Sequence, residues 1–241
     1  FDGGFPDLKT EEVAERAEAR QNAQQKYEEA KEAGDEEAME RYGQSTARIT
    51  DQIQSETERL LDFLGVPYMN APSEADPQVA VMVSDGPAEY AATEDFDTLV
   101  HGADAIVRSF NADGGSVVSL NQILDDAEMT YEELVWATIA SGTDYNDSPF
   151  RVGWVRASNL AKEAESWDEL VEMAYQRDVE KDREPIDRER WHRVKDWFDA
   201  PNVTTDFDFT HDVPDRDALI QFLHDRKGLR ESQVKGGLED I

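Results

Sequence analysis

The chain has 241 residues, and its 55 acidic side chains against 24 basic ones leave a formal net charge of −31 at pH 7. It has no cysteine, which excludes disulfides, thiolate zinc sites, iron–sulfur clusters and cysteine nucleophiles. The longest apolar stretches are short, such as Val79–Val83, whereas a membrane-spanning helix needs roughly 18 or more apolar residues. We therefore expect no membrane partner.

The acidic excess is spread over a sequence that is otherwise able to fold. Hydrophobic residues make up 39% of the chain and include five tryptophans and ten phenylalanines in periodic clusters, which argues against disorder. A dense carboxylate surface keeps a protein hydrated in concentrated salt. We therefore expect a halophilic source and a cytoplasmic location, in the high-salt cytosol of a prokaryote.

Residues Thr10–Leu64 are rich in Glu, Ala, Gln, Lys and Arg and predict two long helices joined by a turn at Gly34-Asp35. The first helix has almost no apolar stripe. The second gains one late, and its C-terminal half is expected to dock onto another element through Ile49, Ile53, Leu60, Leu61 and Leu64. Composition alone favours a solvent-exposed coiled-coil arm over a functional projecting helix pair.

From Gly65 the pattern changes to alternating helices and strands. A helix over Ser73–Val83 is expected to begin at a Ser73/Asp76 capping box, and β-prone runs follow at Glu89–Thr93 and Ala105–Phe110. This alternation predicts a parallel sheet with crossover helices. After Gly114-Gly115 the pattern is helical. Thr130 with Glu133, and Ser166 with Glu169, fit the capping-box pattern and predict helices over 131–141 and 167–175, and further helices are expected over 187–198 and 214–226. The four histidines have no metal-ligand spacing, and we expect structural or surface roles for them.

Acidic residues gather where the first β-prone run ends, at Asp95 and Asp97. Carboxylates grouped at a strand end repel one another unless a cation neutralises them. Glu74 and Asp76 have a competing explanation, because Asp76 is also the partner in the expected capping box. The residues alone leave a metal site and ordinary solvated or capping carboxylates both open.

Four stretches stand in a characteristic order: Phe1-Asp2-Gly3, the block from Leu64-Gly65-Val66-Pro67-Tyr68 to Ala71-Pro72-Ser73-Glu74-Ala75-Asp76, Ala92-Thr93-Glu94-Asp95-Phe96-Asp97-Thr98-Leu99, and Gly142-Thr143-Asp144-Tyr145-Asn146. In order and spacing they resemble the flap endonucleases, the structure-specific 5′ nucleases of the XPG-like superfamily, of the archaeal type. The resemblance implies a PIN-like α/β nuclease core with a parallel sheet, a helical arch insertion and a C-terminal helix-three-turn-helix region. It divides the chain into 1–9 as a nuclease remnant, 10–64 as the arch, 65–145 as the core with the metal site, and 146–241 as the DNA-binding and C-terminal region.

The resemblance also implies a two-ion metal centre with oxygen ligands. Hard oxygen donors suit Mg²⁺, with Mn²⁺ as a substitute. The implied ligands fall on two sides, Asp2, Glu74 and Asp76 on one and Asp95, Asp97 and Asp144 on the other. Lys9 and Arg16 match cations at the base of the arch that contact the scissile phosphate, and their seven-residue spacing puts both on one helix face.

The implied activity is cleavage of a 5′ flap on branched DNA, with 5′-3′ exonuclease action, in Okazaki fragment maturation and base excision repair. The implied DNA-binding residues are Glu74, Gly142, Asp144, Arg151, Gly153 and Arg156. The family's Gly-x-Gly-Pro hairpin, which also binds a monovalent ion such as K⁺, reads Arg151-Val152-Gly153-Trp154 here. Arg151 takes left-handed backbone angles less readily than glycine, so this departure puts the binding of duplex DNA by the hairpin in doubt.

The resemblance places a further strand and another metal aspartate ahead of Phe1, so we expect the chain by itself to be a poor nuclease while a longer parent cuts. A sliding clamp (PCNA) is an expected partner of that parent, although Gln233–Leu238 stops before a convincing clamp motif, and we expect a monomer. Two alternatives from other classes stay open. One is a catalytically silent DNA-binding scaffold, and the other is an acidic coiled-coil interaction protein.

Overall fold

A computed structural model describes residues 1–45, 50–86, 88–112 and 114–237. Within these ranges the chain has twelve α-helices and one three-stranded sheet, which confirms the predicted α/β class. It divides into two compact units, Phe1–Ala17 with Asn70–Thr205, and Glu18–Met69 with Asp206–Ile241. In the described part of the chain, no helix has both the length and the apolar character that crossing a bilayer requires.

The helices follow a short 3₁₀ turn at Asp7–Lys9. In chain order they are α1 (Thr10–Ala33), α2 (Glu36–Ser45), α3 (Asp51–Leu64), α4 (Ala75–Ser84), α5 (Asp97–Val100), α6 (Leu120–Ala127), α7 (Tyr131–Ser141), α8 (Trp154–Glu163), α9 (Trp167–Glu180), α10 (Arg188–Asp199), α11 (Arg216–Lys227) and α12 (Glu231–Gly237). The strands are β1 (Ala91–Ala92), β2 (Ala105–Asn111) and β3 (Gly114–Ser119).

The sheet is small and mixed. β1 runs parallel to β2 with Ala91 opposite Ile106, as the two β-prone runs predicted. β3 returns antiparallel to β2, with Val107 opposite Val117. The expectation that the chain turns helical directly after Gly114 is therefore wrong. The β-branched pair Val117 and Val118 favours extended backbone, and the next helix begins only at Leu120.

The larger core of the first unit lies among α7, α8, α9 and α10. Trp191 and Val194 of α10 are buried there with Leu170 of α9, as expected for the apolar face of these helices. His101 stacks on Phe198 with ring centroids 4.9 Å apart, which confirms its structural role. A second core joins the sheet to its helices, because buried residues of β1 and β2 pack there with residues of α4, α5, α6 and α7.

Capping patterns predicted several helix starts correctly. Thr130 accepts a hydrogen bond from the Glu133 amide while the Glu133 side chain accepts one from the Thr130 amide, and α7 begins at the next residue. The Ser166 hydroxyl caps α9 by accepting from the Glu169 amide, but the Glu169 side chain accepts from the Glu165 amide instead of the Ser166 amide, and that helix runs on to Glu180 rather than ending at 175. Helices α10 and α11 also begin within two residues of the predicted positions. Their cap residues accept hydrogen bonds from the first turn, so side-chain caps account for these helix starts.

In the second unit, the predicted second long helix is described as two, α2 and α3, and α3 begins after the cap residue Thr50. Ile49 lies outside the described residues. The apolar C-terminal half of α3 does dock as predicted, because Leu60 and Leu64 pack against Leu219 and Val234.

Candidate active site

The first residues of the chain run along the segment that leads into α4. The Gly3 amide donates to the Ser73 carbonyl at 2.7 Å, and the Ala71 amide donates to the Phe1 carbonyl at 2.9 Å. A Cβ atom added to Gly3 would lie 1.7 Å from the Ala71 carbonyl oxygen, so only glycine permits this approach. The close contact brings the neighbouring Asp2 to the start of α4.

Asp2 supplies the helix cap that the sequence assigned to Ser73. Its Oδ1 accepts from the Ala75 amide at 2.8 Å, and α4 begins at Ala75 with Glu74 before it. The predicted Ser73/Asp76 capping box is therefore wrong, because the Ser73 hydroxyl turns instead to the Gly4 carbonyl. Carboxylates at a helix N-terminus are stabilised by its unpaired amides.

Lys9 joins two of the predicted metal ligands. Its Nζ lies 2.6 Å from Glu74 Oε1 and 2.9 Å from Asp144 Oδ2. Burial disfavours the ammonium, but the bonds to these two carboxylates keep the pKa of Lys9 above its ordinary value. The other oxygen of Glu74 accepts a hydrogen bond from the hydroxyl of Tyr145. Burial and this bond raise the pKa of Tyr145, so the hydroxyl remains a proton donor to Glu74.

Asp144 receives both predicted cations. Arg16 Nη2 lies 3.0 Å from Asp144 Oδ1, while Lys9 holds Oδ2, so the seven-residue spacing of the two cations brings them to one side chain. Burial alone would raise the pKa of Asp144, but Lys9 and then Arg16 hold it below its usual value. The backbone here turns tightly after α7 through Gly142, at φ +93°, and a Thr143–Asn146 bridge.

The remaining acids follow β1 at its carboxyl end. Asp95 Oδ1 accepts from the Asp97 amide at 3.0 Å, and Asp97 opens the short helix α5. The buried Thr98 donates to Asp76 Oδ1 at 3.0 Å and so connects this strand end to α4. The short connection from β1 to β2 thus contains one helical turn, whose Thr98 binds Asp76.

These carboxylates share one electrostatic neighbourhood. Desolvation of its carboxyl group, followed by the charges of Asp95, Asp76 and Asp144, raises the pKa of Asp97 to about 6 against the opposing effect of Lys9. Burial raises the pKa of Asp76 against the hydrogen bond from Thr98, and the charges of Asp95, Asp2 and Glu74 raise it further. All six predicted ligands therefore lie close enough to influence at least one other member of the set.

The six carboxylates have the chemistry of a magnesium site, but their oxygens are not close enough together to form one. Six carboxylates and no histidine or cysteine are the ligands that hard divalent cations prefer. Across 1–45, 50–86, 88–112 and 114–237, however, no three acidic or histidine side chains stand in an arrangement that could hold an ion. Lys9 instead occupies the space between Glu74 and Asp144. Binding an ion would require these side chains to move closer together.

Comparison with known proteins identifies the family of the chain. Residues 65–144 match the family model of the XPG I-region. Flap endonuclease 1 of Methanoregula boonei is 34% identical over 99% of this chain and 72% of its own length. The chain belongs to the flap endonuclease 1 family. Flap endonucleases are nucleases. The chain spans about seven tenths of the length of this relative.

Solved structures show the same fold as this flap endonuclease chain. Flap endonuclease-1 from Methanococcus jannaschii superposes with a TM-score of 0.64 and 26% identity, over 84% of this chain and 62% of that one. The catalytic core of Rad2 in complex with DNA substrate gives a TM-score of 0.74 over 100% of this chain and 76% of that one. At 20% identity, the Rad2 match supports the fold alone.

The predicted DNA-binding hairpin of this flap endonuclease lies between α7 and α8. Arg151 adopts φ +56°, the left-handed conformation that glycine would take at lower cost. Gly153 is the N-cap residue of α8 and Trp154 its first residue, about half exposed. Arg156 reaches back along the hairpin and donates to the Arg151 carbonyl at 2.5 Å. The segment thus turns through a left-handed residue at Arg151, and the Arg156 side chain binds the backbone of that turn.

Helix α9 fixes the residue that precedes this turn. Asp178 Oδ1 accepts from the Phe150 amide at 2.7 Å, and Arg177 Nε donates to the Phe150 carbonyl at 3.1 Å. The second oxygen of Asp178 accepts from the Ile186 amide at 3.2 Å. Asp178 is only 3% exposed, so both amides are satisfied by a buried carboxylate.

The structure thus brings some predicted residues into direct contact and leaves others apart. Ion pairs join Lys9, Arg16, Glu74 and Asp144. The other four acids interact with this group or with one another through their charges. Arg151, Gly153 and Arg156 form a separate hairpin. Sequence reasoning missed four residues that hold these groups, Thr98, Tyr145, Asp178 and Arg190. Tyr145 and Thr98 had a signal, because they lie within the motifs that contain Asp144 and Asp97, whereas Asp178 and Arg190 had none.

Proposed function

We propose that this chain carries the two-ion centre and the phosphate-contacting cations with which a structure-specific flap endonuclease hydrolyses DNA. The observation that supports it most is the convergence of Lys9 and Arg16 on Asp144, within a group of six carboxylates. The same grouping accounts for the raised pKa values of Asp76 and Asp97, because neighbouring carboxylates add to the effect of burial on each of them.

The metal ligands proposed are the six acids on two sides, Asp2, Glu74 and Asp76 on one and Asp95, Asp97 and Asp144 on the other. When bound, Mg²⁺ ions would activate a water and stabilise the entering and leaving oxygens of the phosphodiester. Thr98 and Tyr145 orient the carboxylates of Asp76 and Glu74 through hydrogen bonds. Such outer partners fix the direction of ligand oxygens.

The two cations differ in what they can do for a DNA phosphate. The Arg16 side chain is 52% exposed, so its guanidinium can exchange Asp144 for a phosphate oxygen at little desolvation cost. The Lys9 side chain is 12% exposed and holds both Glu74 and Asp144. We infer that Lys9 keeps its charge beside the reacting phosphate, where it offsets negative charge that grows during cleavage.

We further propose branched DNA with a 5′ flap as the substrate, and the arch and hairpin as its binding elements. Helices α1, α2 and α3 would form the helical arch, and the hairpin at Arg151–Arg156 would contact duplex backbone, with K⁺ as a candidate ion there. Exposed guanidinium groups and backbone amides at a helix start are common phosphate contacts. A sliding clamp is proposed as a partner of a longer form of the protein.

The decisive experiment compares Asp97→Asn with Asp104→Asn, an exposed aspartate of the same unit. With Mg²⁺ in molar KCl, the wild type and D104N are expected to cut a 5′-flap duplex, slowly in this chain and faster in the longer parent. The D97N variant should lose roughly 100-fold or more in cleavage while it still binds the flap. Mg²⁺ should also raise the melting temperature of the wild type more than that of D97N. Wild-type flap binding without cleavage would favour the scaffold alternative and overturn the proposal.

A further inference from the structure

Arg190 of α10 connects two distant segments of the chain. Its Nη2 donates to the Leu8 carbonyl at 3.1 Å, and its Nε donates to the Tyr145 carbonyl at 2.5 Å. These carbonyls are 182 and 45 residues away along the sequence. A guanidinium is a planar, rigid group of donors, so two such bonds fix the separation of the two backbone segments.

Each carbonyl lies next to a residue of the candidate active site. The Leu8 carbonyl belongs to the peptide bond that leads into Lys9, and Tyr145 directly follows Asp144. Lys9 Nζ and Asp144 Oδ2 are themselves 2.9 Å apart. The bridge formed by Arg190 therefore spans the same two segments as the Lys9–Asp144 ion pair, but through their backbones.

Arg190 is well placed to act as a fixed support. Its own amide donates to the cap residue Asp187 at 3.1 Å, in the first turn of α10. The next residue, Trp191, is 1% exposed and packs in the main core of the unit. Because the helix start is capped and anchored, displacement of the Arg190 backbone would disturb the core.

We propose that Arg190 is a positioning residue that holds the Lys9 ammonium against Glu74 and Asp144. It does so by locking the backbone before Lys9 to the backbone after Asp144. Its effect on cleavage rests on the proposed function, whereas its effect on Lys9 does not. A misplacement of about 1 Å in such a group can cost a catalyst roughly 100-fold.

The first test measures how well Lys9 is shielded and does not depend on cleavage activity. An amine-reactive acetylating reagent is applied at low dose to folded protein, and the modification of Lys9 is quantified by mass spectrometry. The ammonium is shielded and paired in the wild type, so Arg190→Gln should raise Lys9 acetylation several-fold. Arg193→Gln removes the same charge from an exposed position on the same helix and should leave Lys9 acetylation at the wild-type level.

Stability is measured on each variant, so that unfolding is not mistaken for release of Lys9. If Arg190→Gln does not fold, Arg190→Lys keeps the charge, but its single ammonium lacks the rigid fork that spans both carbonyls. The proposal expects increased Lys9 acetylation in whichever variant is folded. Wild-type acetylation of Lys9 in a folded Arg190 variant overturns it.

A second test uses cleavage of the flap duplex and a double-mutant cycle. Arg190→Gln should lower kcat by roughly 10- to 100-fold with little change in DNA affinity. In a Lys9→Ala background the same change should have almost no further effect on kcat, because both changes remove one function. Additive losses would overturn the proposal. A wild type that does not cut would refute the proposed function, and Lys9 acetylation would still decide the role of Arg190.

Discussion

The buried carboxylate of Asp178 offers the sharpest prediction about stability. It is 3% exposed and accepts from two backbone amides, at Phe150 and Ile186. Hydrogen bonds to a charged group contribute about 1.5–3 kcal/mol each, and losing them here leaves two buried N–H groups unpaired. Asp178→Ala should therefore lower the free energy of unfolding by about 3–5 kcal/mol. Asp178→Asn keeps one acceptor oxygen and should cost about half as much.

The assay is denaturant unfolding at fixed salt, with Glu180→Ala as the control. Glu180 is an exposed acid two residues further along α9, so its loss should change stability by less than about 0.5 kcal/mol. Because Asp178 holds the residue before Arg151, a folded Asp178→Asn variant should also bind flap DNA more weakly. A cost below about 1 kcal/mol for Asp178→Ala would show that the two amides find other partners, which would refute the reasoning.

Three further predictions follow from the backbone, the core and the surface. Arg151→Gly should be more stable than Arg151→Ala by about 1 kcal/mol in unfolding experiments, because both lose the guanidinium but only alanine keeps the strain at φ +56°; greater stability of the alanine variant would contradict this. Burial lowers the pKa of His101 to about 4 from 6.5, so the unfolded chain binds the proton first. Stability should then fall by up to about 3 kcal/mol as the pH drops through this window, and His101→Phe should lack that loss in pH-dependent melting. Circular dichroism should record incomplete folding in dilute buffer and full folding in several molar KCl, because the charge of −31 is screened there; equal folding in both would count against a halophilic protein.

Elements with local signals could be predicted from the sequence, and those set by distant contacts could not. The cap at Thr130 fixed the start of α7 because both partners lie within four residues. The cap at Ser73 failed because Gly3 and Asp2, about 70 residues away, approach the start of α4 and satisfy it differently. β3 was missed since a short strand next to glycines carries little periodicity, and only pairing with β2 makes it extended.

The candidate site shows the same division. Lys9 and Arg16 could be placed together because seven residues make two helical turns, and both do meet Asp144. Nothing in the sequence pointed to Arg190 or Asp178, whose partners are backbone atoms of residues far along the chain. A sequence motif does not show which backbone carbonyl or amide a side chain will bind. Residues that hold a site by such bonds are therefore found only from the fold.

Among the acidic side chains that the structure describes, two groups stand out. On the helices of the second unit, many acids lie at exposed positions, and some accept hydrogen bonds from neighbours one turn away, as Glu28 does from Gln24 and Glu29 from Gln25. Such pairs are worth only a few tenths of a kcal/mol, so these acids act mainly as a hydrated surface. Six acids of the first unit instead lie together, where their charges help to raise the pKa values of Asp76 and Asp97, and two of them, Glu74 and Asp144, bind Lys9 or Arg16. At 1 M salt the Debye length is about 3 Å, so the first group barely repels DNA, and the second group decides whether a phosphate can approach.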